Sequence, residues 1–155
     1  MKKVLIFGNS GSGKTTLASK IARDNRIPHL DLDVLAWESP GVREAHEISV
    51  GKINEFTSKN ESWVIEGVYG LMIRELSVAC TELHFLNPGI ETCIDNNLSR
   101  PWEPHKYESM EAQNKNFEML QDWVREYETR TDEFSLRYHR QIFNDFAGNK
   151  QEYTS

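Results

Sequence analysis

The run Gly8-Asn9-Ser10-Gly11-Ser12-Gly13-Lys14-Thr15 constrains this chain more than any other feature. It satisfies G-x-x-x-x-G-K-[ST] at every fixed position. It also stands in the setting that pattern requires. Lys2-Lys3-Val4-Leu5-Ile6-Phe7 before it reads as a buried parallel strand, and Thr16–Ala22 after it reads as a helix with Leu17 and Ile21 on one face. Glycines let the backbone wrap an anion without Cβ clashes, so that successive N–H groups converge and the following helix adds partial positive charge. Gly8, Ser10, Gly11, Ser12, Gly13, Lys14, Thr15 and Thr16 are therefore the expected binding residues for a nucleoside triphosphate, read as ATP. Lys14 is placed to reach the β/γ-phosphates and the Thr15 hydroxyl to ligate Mg²⁺.

The remaining pattern alternates strands with helices, which implies an α/β domain with a parallel sheet covered on both faces. After Lys3–Phe7 come short strands near Ile27–Leu30, at Trp63–Gly67 and at Glu82–Leu86. Helices are expected near Glu44–Ser58, Leu71–Val78 and from Asn87-Pro88 to about Arg100. Ser39-Pro40-Gly41 breaks the chain before the first of these. A long amphipathic helix is expected over Met110–Arg130 with Ser109 as N-cap, and a last one from Thr131-Asp132 to Gly148. Lys150–Ser155 reads as an edge strand or a tail. Residues 1–155 form one domain, with 101–112 as a lid segment: Pro101–Ser109 is the least regular stretch and carries two prolines.

Charge and cysteines narrow the function classes. With 24 acids against 18 bases, a net charge of −6 and a pI near 5.4, the chain has no global basic field for nucleic acid or anionic membrane. Direct nucleic-acid binding is not expected. Cys80 and Cys93 form no metal-binding spacing and read as buried thiols. No apolar run spans a bilayer and no leader precedes the first strand, so the expected location is the cytoplasm.

Other residues extend the phosphate chemistry. Asp31-x-Asp33 ends the second strand with both carboxylates on one side, facing the ligand crevice at a strand's carboxyl end. Asp31 suits Mg²⁺ and Asp33 suits the proton of an acceptor hydroxyl; the competing role is a helix cap. Glu66 closes the third strand as a second acid beside the metal, or stands as a loop carboxylate. Gly67 suggests close approach of a ligand, or a plain turn. Phosphoryl transfer needs cations, and Arg100, at a helix end where the flap begins, is the first candidate, with Arg130 on the flank of the long helix as the second. Arg43 and Arg74 are candidates for gripping the acceptor, while Arg125 faces solvent. For each arginine a surface salt bridge is the alternative. Trp37 and Trp102 fall in irregular segments that suit a substrate cleft, and His105 and Lys106 are weaker candidates for phosphate contact. Asp145–Gly148 and Asn149–Glu152 look like guanine-nucleotide boxes, but they abut after a helix and the second ends in Glu, so guanine specificity is not indicated.

Taken together, these motifs resemble the small-kinase branch of phosphate-loop proteins, which includes adenylate, shikimate and gluconate kinases. Within it, the chain is most similar to the adenylate-kinase-like family labelled DNA topology modulation proteins. Leu32-Asp33-Val34-Leu35-Ala36-Trp37 and Trp63-Val64-Ile65-Glu66-Gly67-Val68-Tyr69 carry that likeness over roughly the first hundred residues. The resemblance implies a parallel sheet in the order 2-3-1-4, with the option of a fifth strand, and a lid closing over ATP. Glu66 stands where that family has Asp. The glycine triplet of shikimate kinases and the Gly-Asp-x-Leu-Arg sequence of adenylate kinases are missing, so neither shikimate nor AMP is implied as acceptor. The expected activity is transfer of the γ-phosphate of ATP to a small-molecule acceptor such as a nucleotide, nucleoside or hydroxylated metabolite. The alternative is a nucleotide-dependent regulatory ATPase or switch without such an acceptor.

Overall fold

Val4, Leu5, Ile6 and Phe7 are all fully buried, the mark of a strand covered on both faces. They lie in β1 (Lys3–Gly8), the centre of a computed structural model that describes residues 1–155. α1 (Lys14–Asn25) follows the loop, then β2 (His29–Asp31), α2 (Asp33–Ala36), β3 (Trp37–Ser39), β4 (Val42–Arg43) and α3 (His46–Lys59). Next come β5 (Trp63–Gly67), α4 (Gly70–Ser77), β6 (Glu82–Leu86), α5 (Ile90–Leu98), α6 (Met110–Arg125), α7 (Leu136–Asp145) and β7 (Asn149–Tyr153). The five-stranded sheet runs β2-β5-β1-β6-β7, with every pairing parallel. This is the expected order with the fifth strand present, since residues Asn149–Tyr153 pair with β6.

The two faces of the sheet are packed differently. On one, Phe7 stacks on Phe85 at 5.1 Å between ring centres, and both meet the edge of His139 from α7. Trp63, Ile65, Met72, Ile73, Leu83 and Ile142 join the same core. On the other, Val4, Ile6, Val64 and Leu86 pack beneath Ala18 of α1. Helix α5 packs on α6 through Cys93, Ile94 and Val124. Both cysteines are free, Cys93 buried and Cys80 half-buried.

Three local expectations are corrected. Ser39-Pro40-Gly41 does break the chain, as a turn, but the segment around Trp37 expected to be irregular is a small antiparallel hairpin, β3 with β4, in which Trp37 pairs with Arg43. Gly41 at its tip has φ +78, the left-handed conformation that closes such a turn. The long helix ends at Arg125 rather than Arg130, and Glu126–Glu128 continue as one 3₁₀ turn. Glu126 and Glu128 place like charge against the negative end of the helix dipole, which weakens its last turn. The last helix begins at Leu136, because Ser135 caps it by accepting from the Tyr138 N–H while Asp132 accepts from the Phe134 N–H.

Candidate active site

The phosphate loop joins the carboxyl end of β1 to the amino end of α1 and is braced from outside by the α5–α6 pair. Asn96 Nδ2 donates to the Gly11 carbonyl at 2.7 Å, and Asn9 Nδ2 donates to the Val124 carbonyl at 3.2 Å. Gly11 has φ +81, and a Cβ there would run into the Cys93 carbonyl and the Asn97 amide. Only glycine fits this position. Ser12 Oγ is buried in the loop with no hydrogen-bond partner. A buried donor left orphaned beside converging backbone amides fits an anionic ligand that would satisfy it. Lys14 Nζ curls back to donate to the Asn9 carbonyl at 2.8 Å. Burial pulls its pKa down, with Arg100 adding to that, while Glu66, Asp33 and Asp31 push it the other way.

Three carboxylates face this loop because β2, β5 and β1 are neighbours. Asp31 sits in register beside Glu66, and Glu66 beside Ile6. Glu66 is 2% exposed, and its Oε2 accepts from Thr15 Oγ1 at 2.7 Å and lies 3.2 Å from His29 Nε2. Burial would raise its pKa, but His29, Lys14 and Thr15 hold it below the usual value. Asp31 is pushed up to about 6 by burial and by the nearby Asp33 and Glu66 charges. Its Oδ1 accepts the Asp33 N–H at 2.9 Å across the turn into α2, whose N-cap is Leu32 with no side-chain cap.

Asp33 takes part in two contacts that tie the site together. Tyr69 Oη donates to its Oδ1, and Lys106 Nζ lies 2.7 Å from its Oδ2. Burial works against ionisation of Asp33, but Lys106, Tyr69 and Lys14 outweigh it and keep its pKa low. Lys106 also reaches Asp31 at 3.8 Å and Glu103 at 3.2 Å. Burial would lower its pKa, but these carboxylates raise it well above the normal range. Glu103 in turn pairs with Arg100 Nε at 3.2 Å. The irregular segment after α5 thus lies across the acidic pair, ordered by Gln113, which bridges Pro101 and Glu103, and by Trp102 Nε1 on the Tyr107 carbonyl.

Lys14, Thr15, Asp31, Asp33, Glu66 and, through Glu103 and Lys106, Arg100 are therefore brought together. Arg43 lies one residue pair away, stacked on Trp37 and Tyr69. Arg130 pairs with Asp132 and shares the Phe134 ring with Arg43. Arg74 is held elsewhere: it stacks on Tyr138, donates to the Tyr138 hydroxyl and reaches Asp145. Gly67 is buried, and a Cβ there would strike Leu32, so its visible role is to let Leu32 pack beneath the Asp31–Asp33 turn. Arg125 is exposed beside Asp122, as its helical position implied. His29, Tyr69, Asn96 and the bridge made by Lys106 were missed from sequence. His29 stands two residues before Asp31, so strand alternation placed it on the same side. A surface concavity of about 540 Å³ around Met1, Lys2, Ser62 and Thr81 lies at the opposite, amino end of the strands.

No protein-family model matches the chain, and no curated protein does. Solved structures do match. A gluconokinase from Sinorhizobium meliloti 1021 superposes with TM-score 0.58 at 15% identity, over 99% of this chain and 83% of that one. A shikimate kinase from Bacteroides thetaiotaomicron gives 0.57 at 19% identity over 81% and 76%, and a sugar kinase from Janibacter sp. HTCC2649 gives 0.55 at 16% over 98% and 85%. These neighbours are phosphate-loop small-molecule kinases, and the chain has their α/β fold. No helix is long and apolar enough to cross a membrane.

Proposed function

We propose that this protein is an ATP- and Mg²⁺-dependent phosphotransferase acting on the hydroxyl of a small molecule. One observation carries the reading: a complete phosphate loop faces the Thr15 hydroxyl on the buried Glu66 carboxylate and an ionised Asp33 within a single crevice at the carboxyl ends of β1, β2 and β5. The loop amides, Ser12 and Lys14 hold the triphosphate. Thr15, Glu66 and Asp31 supply hard oxygen donors of the kind Mg²⁺ takes. No cluster of three metal-binding side chains exists on the protein alone. That suits an ion held by one or two carboxylates plus substrate phosphates. Bound there, the ion would neutralise charge on the phosphates.

Asp33, with Tyr69 and the Lys14 charge favouring its ionised form, accepts the proton of the acceptor hydroxyl. The acceptor oxygen bonds to the γ-phosphorus as its bond to the β–γ bridging oxygen breaks, leaving ADP. Arg100 offsets charge on the moving group. Lys106 occupies the Asp33 carboxylate in this structure, so residues 101–112 act as the lid: Lys106 must leave Asp33 for the acceptor to enter. Within the small-kinase class, the Leu32–Trp37 and Trp63–Tyr69 motifs favour a likeness to the DNA topology modulation proteins. Glu66, longer by one methylene than the Asp of that family, uses its reach to span Thr15 and His29.

The test is phosphorylation of pooled hydroxylated metabolites by the protein with Mg²⁺ and γ-labelled ATP. Label transfer that is lost in Asp33→Asn, with nucleotide affinity kept, supports the proposal. Release of free phosphate at one rate whatever the pool would move the reading to a regulatory ATPase.

A further inference from the structure

Arg43 is an exposed arginine held in a demanding position. Its guanidinium carbon lies 4.9 Å from the ring centre of Tyr69, 5.5 Å from that of Trp37 and 5.7 Å from that of Phe134, and its Nε donates to the Ala36 carbonyl at 3.1 Å. It forms no salt bridge, although the chain has six more acids than bases. Three aromatic faces and one carbonyl fix the planar group, and no carboxylate comes within salt-bridge distance of its nitrogens, the Glu133 carboxyl feeling its charge only from farther off.

A second guanidinium comes to the same ring. Arg130 lies 4.7 Å from the centre of Trp123 and 5.7 Å from that of Phe134. Its Nε and Nη2 grip Asp132, and its Nη1 is buried with no hydrogen-bond partner. Two like charges drawn over one ring repel each other, and Asp132 is the one carboxylate paired with either. A buried guanidinium N–H left unpaired, as at Arg130 Nη1, is costly unless something accepts from it. The row begins at the chemistry: Tyr69, beneath Arg43, donates through its hydroxyl to Asp33, and Phe134 meets both Tyr69 and Trp123 edge-on at 5.7 Å.

We infer that Arg43, backed by Arg130, is the subsite for an anionic group of the acceptor, so that the acceptor is a hydroxylated carboxylate or phosphate ester rather than a neutral sugar or nucleoside. The inference rests on the kinase reading for its hydroxyl end. The anion docks on the Arg43 fork, and the reacting hydroxyl reaches Asp33 across one tyrosine ring. Arg43 comes from the β3–β4 hairpin and Arg130 from the link between α6 and α7, so two separate elements close on the anion.

Two measurements on the full-length protein separate this inference from the reading beneath it. In the first, tartrate or inorganic phosphate is titrated into the protein saturated with a non-hydrolysable ATP analogue, while the Arg43 Nε–H signal is followed by NMR. Saturable shifts are expected; the accompanying shift of the Trp37 indole Nε1–H, whose ring lies 5.5 Å from the Arg43 guanidinium, is lost in Arg43→Gln and kept in Arg74→Gln. The stronger of the two probes identifies carboxylate or phosphate as the favoured anion. Absence of any saturable shift overturns the subsite, whatever the turnover results. In the second, paired acceptors are compared: gluconate with sorbitol, glycerol 3-phosphate with glycerol, AMP with adenosine. Turnover is expected only for anionic members. For the active one, Arg43→Gln should raise KM by 10- to 100-fold with kcat within a few-fold, and Arg43→Lys should recover part of the loss. Equal turnover of charged and neutral members, or a fall in kcat alone, overturns it. Anion binding without turnover of any pair leaves the subsite standing and removes the kinase reading.

Discussion

Substituting Gly11 by Ala tests whether α5 buttresses the phosphate loop, and Gly41→Ala provides an internal control. The two glycines have nearly the same backbone, φ +81 and φ +78. Placing a Cβ in that region costs about 1–2 kcal/mol at either site. Their surroundings differ: at Gly41 nothing lies within 4 Å of the added atom, whereas at Gly11 it meets the Cys93 carbonyl and the Asn97 amide. Relieving that clash means moving the loop off α5 and stretching the Asn96–Gly11 hydrogen bond, an overpacking cost of about 1–3 kcal/mol. Gly11→Ala should therefore lose roughly 2–5 kcal/mol and Gly41→Ala roughly 1–2 kcal/mol. Urea unfolding without nucleotide gives both values, and titration with an ATP analogue shows whether the displaced loop still binds. Gly11→Ala should bind at least tenfold more weakly, and Gly41→Ala as the wild type does. Equal costs for the two substitutions would refute the buttress and with it the claim that the loop is preformed.

Three further outcomes follow from the site and core. Thr15→Val removes the hydroxyl that donates to Glu66 and would bind Mg²⁺; activity should fall at least 100-fold, while stability falls by about 1.5–3 kcal/mol, the worth of a hydrogen bond to a charged group. Near wild-type turnover would exclude Thr15 from the chemistry. Lys106→Met removes the cation from Asp33 and Asp31, so the Asp33 pKa should rise and the acid limb of the pH–rate profile move upward; an unmoved limb would show that Lys106 does not set the Asp33 charge. His139 is fully buried, with Nε2 donating to the Val68 carbonyl and Nδ1 accepting from Tyr127, and burial lowers its pKa from 6.5 to about 4. The unfolded chain takes up that proton first, so stability is full above pH 6.5 and falls by on the order of 3 kcal/mol as pH drops toward 4. An NMR titration showing the ring charging near pH 6.5 would contradict this.

What the sequence made legible is what lies close together in the chain. β1, the phosphate loop and α1 are contiguous, so composition, spacing and periodicity all point the same way. The Asp31–Asp33 pair was legible as two carboxylates at a strand's carboxyl end, but strand alternation does not align them: β2 stops at Asp31, and the turn through Leu32 into α2 sets Asp33. Contacts between distant segments were not legible. That Lys106 crosses to Asp33, and that Tyr69 joins Asp33 to Arg43, depends on how the flap and the β3–β4 hairpin fold over the sheet. Arg130 illustrates the same limit. A helical wheel carried through to residue 130 put it on a flank, but the helix stops at Arg125, and Asp132 and the Trp123 and Phe134 rings set its position instead. Arg74 suits a substrate ligand by sequence alone, but Tyr138 and Asp145 of the distant α7 take it up.

The central claim is that ATP is spent on an acceptor through Lys14 and its surroundings. Its most direct test is ATP consumption with Mg²⁺ against pooled nucleosides, nucleotides, sugars and hydroxy acids, with Lys14→Ala as control. The account predicts stimulation by a pool containing anionic hydroxyl compounds, abolished in the variant. Slow turnover indifferent to every pool, or stimulation that survives loss of Lys14, would contradict it.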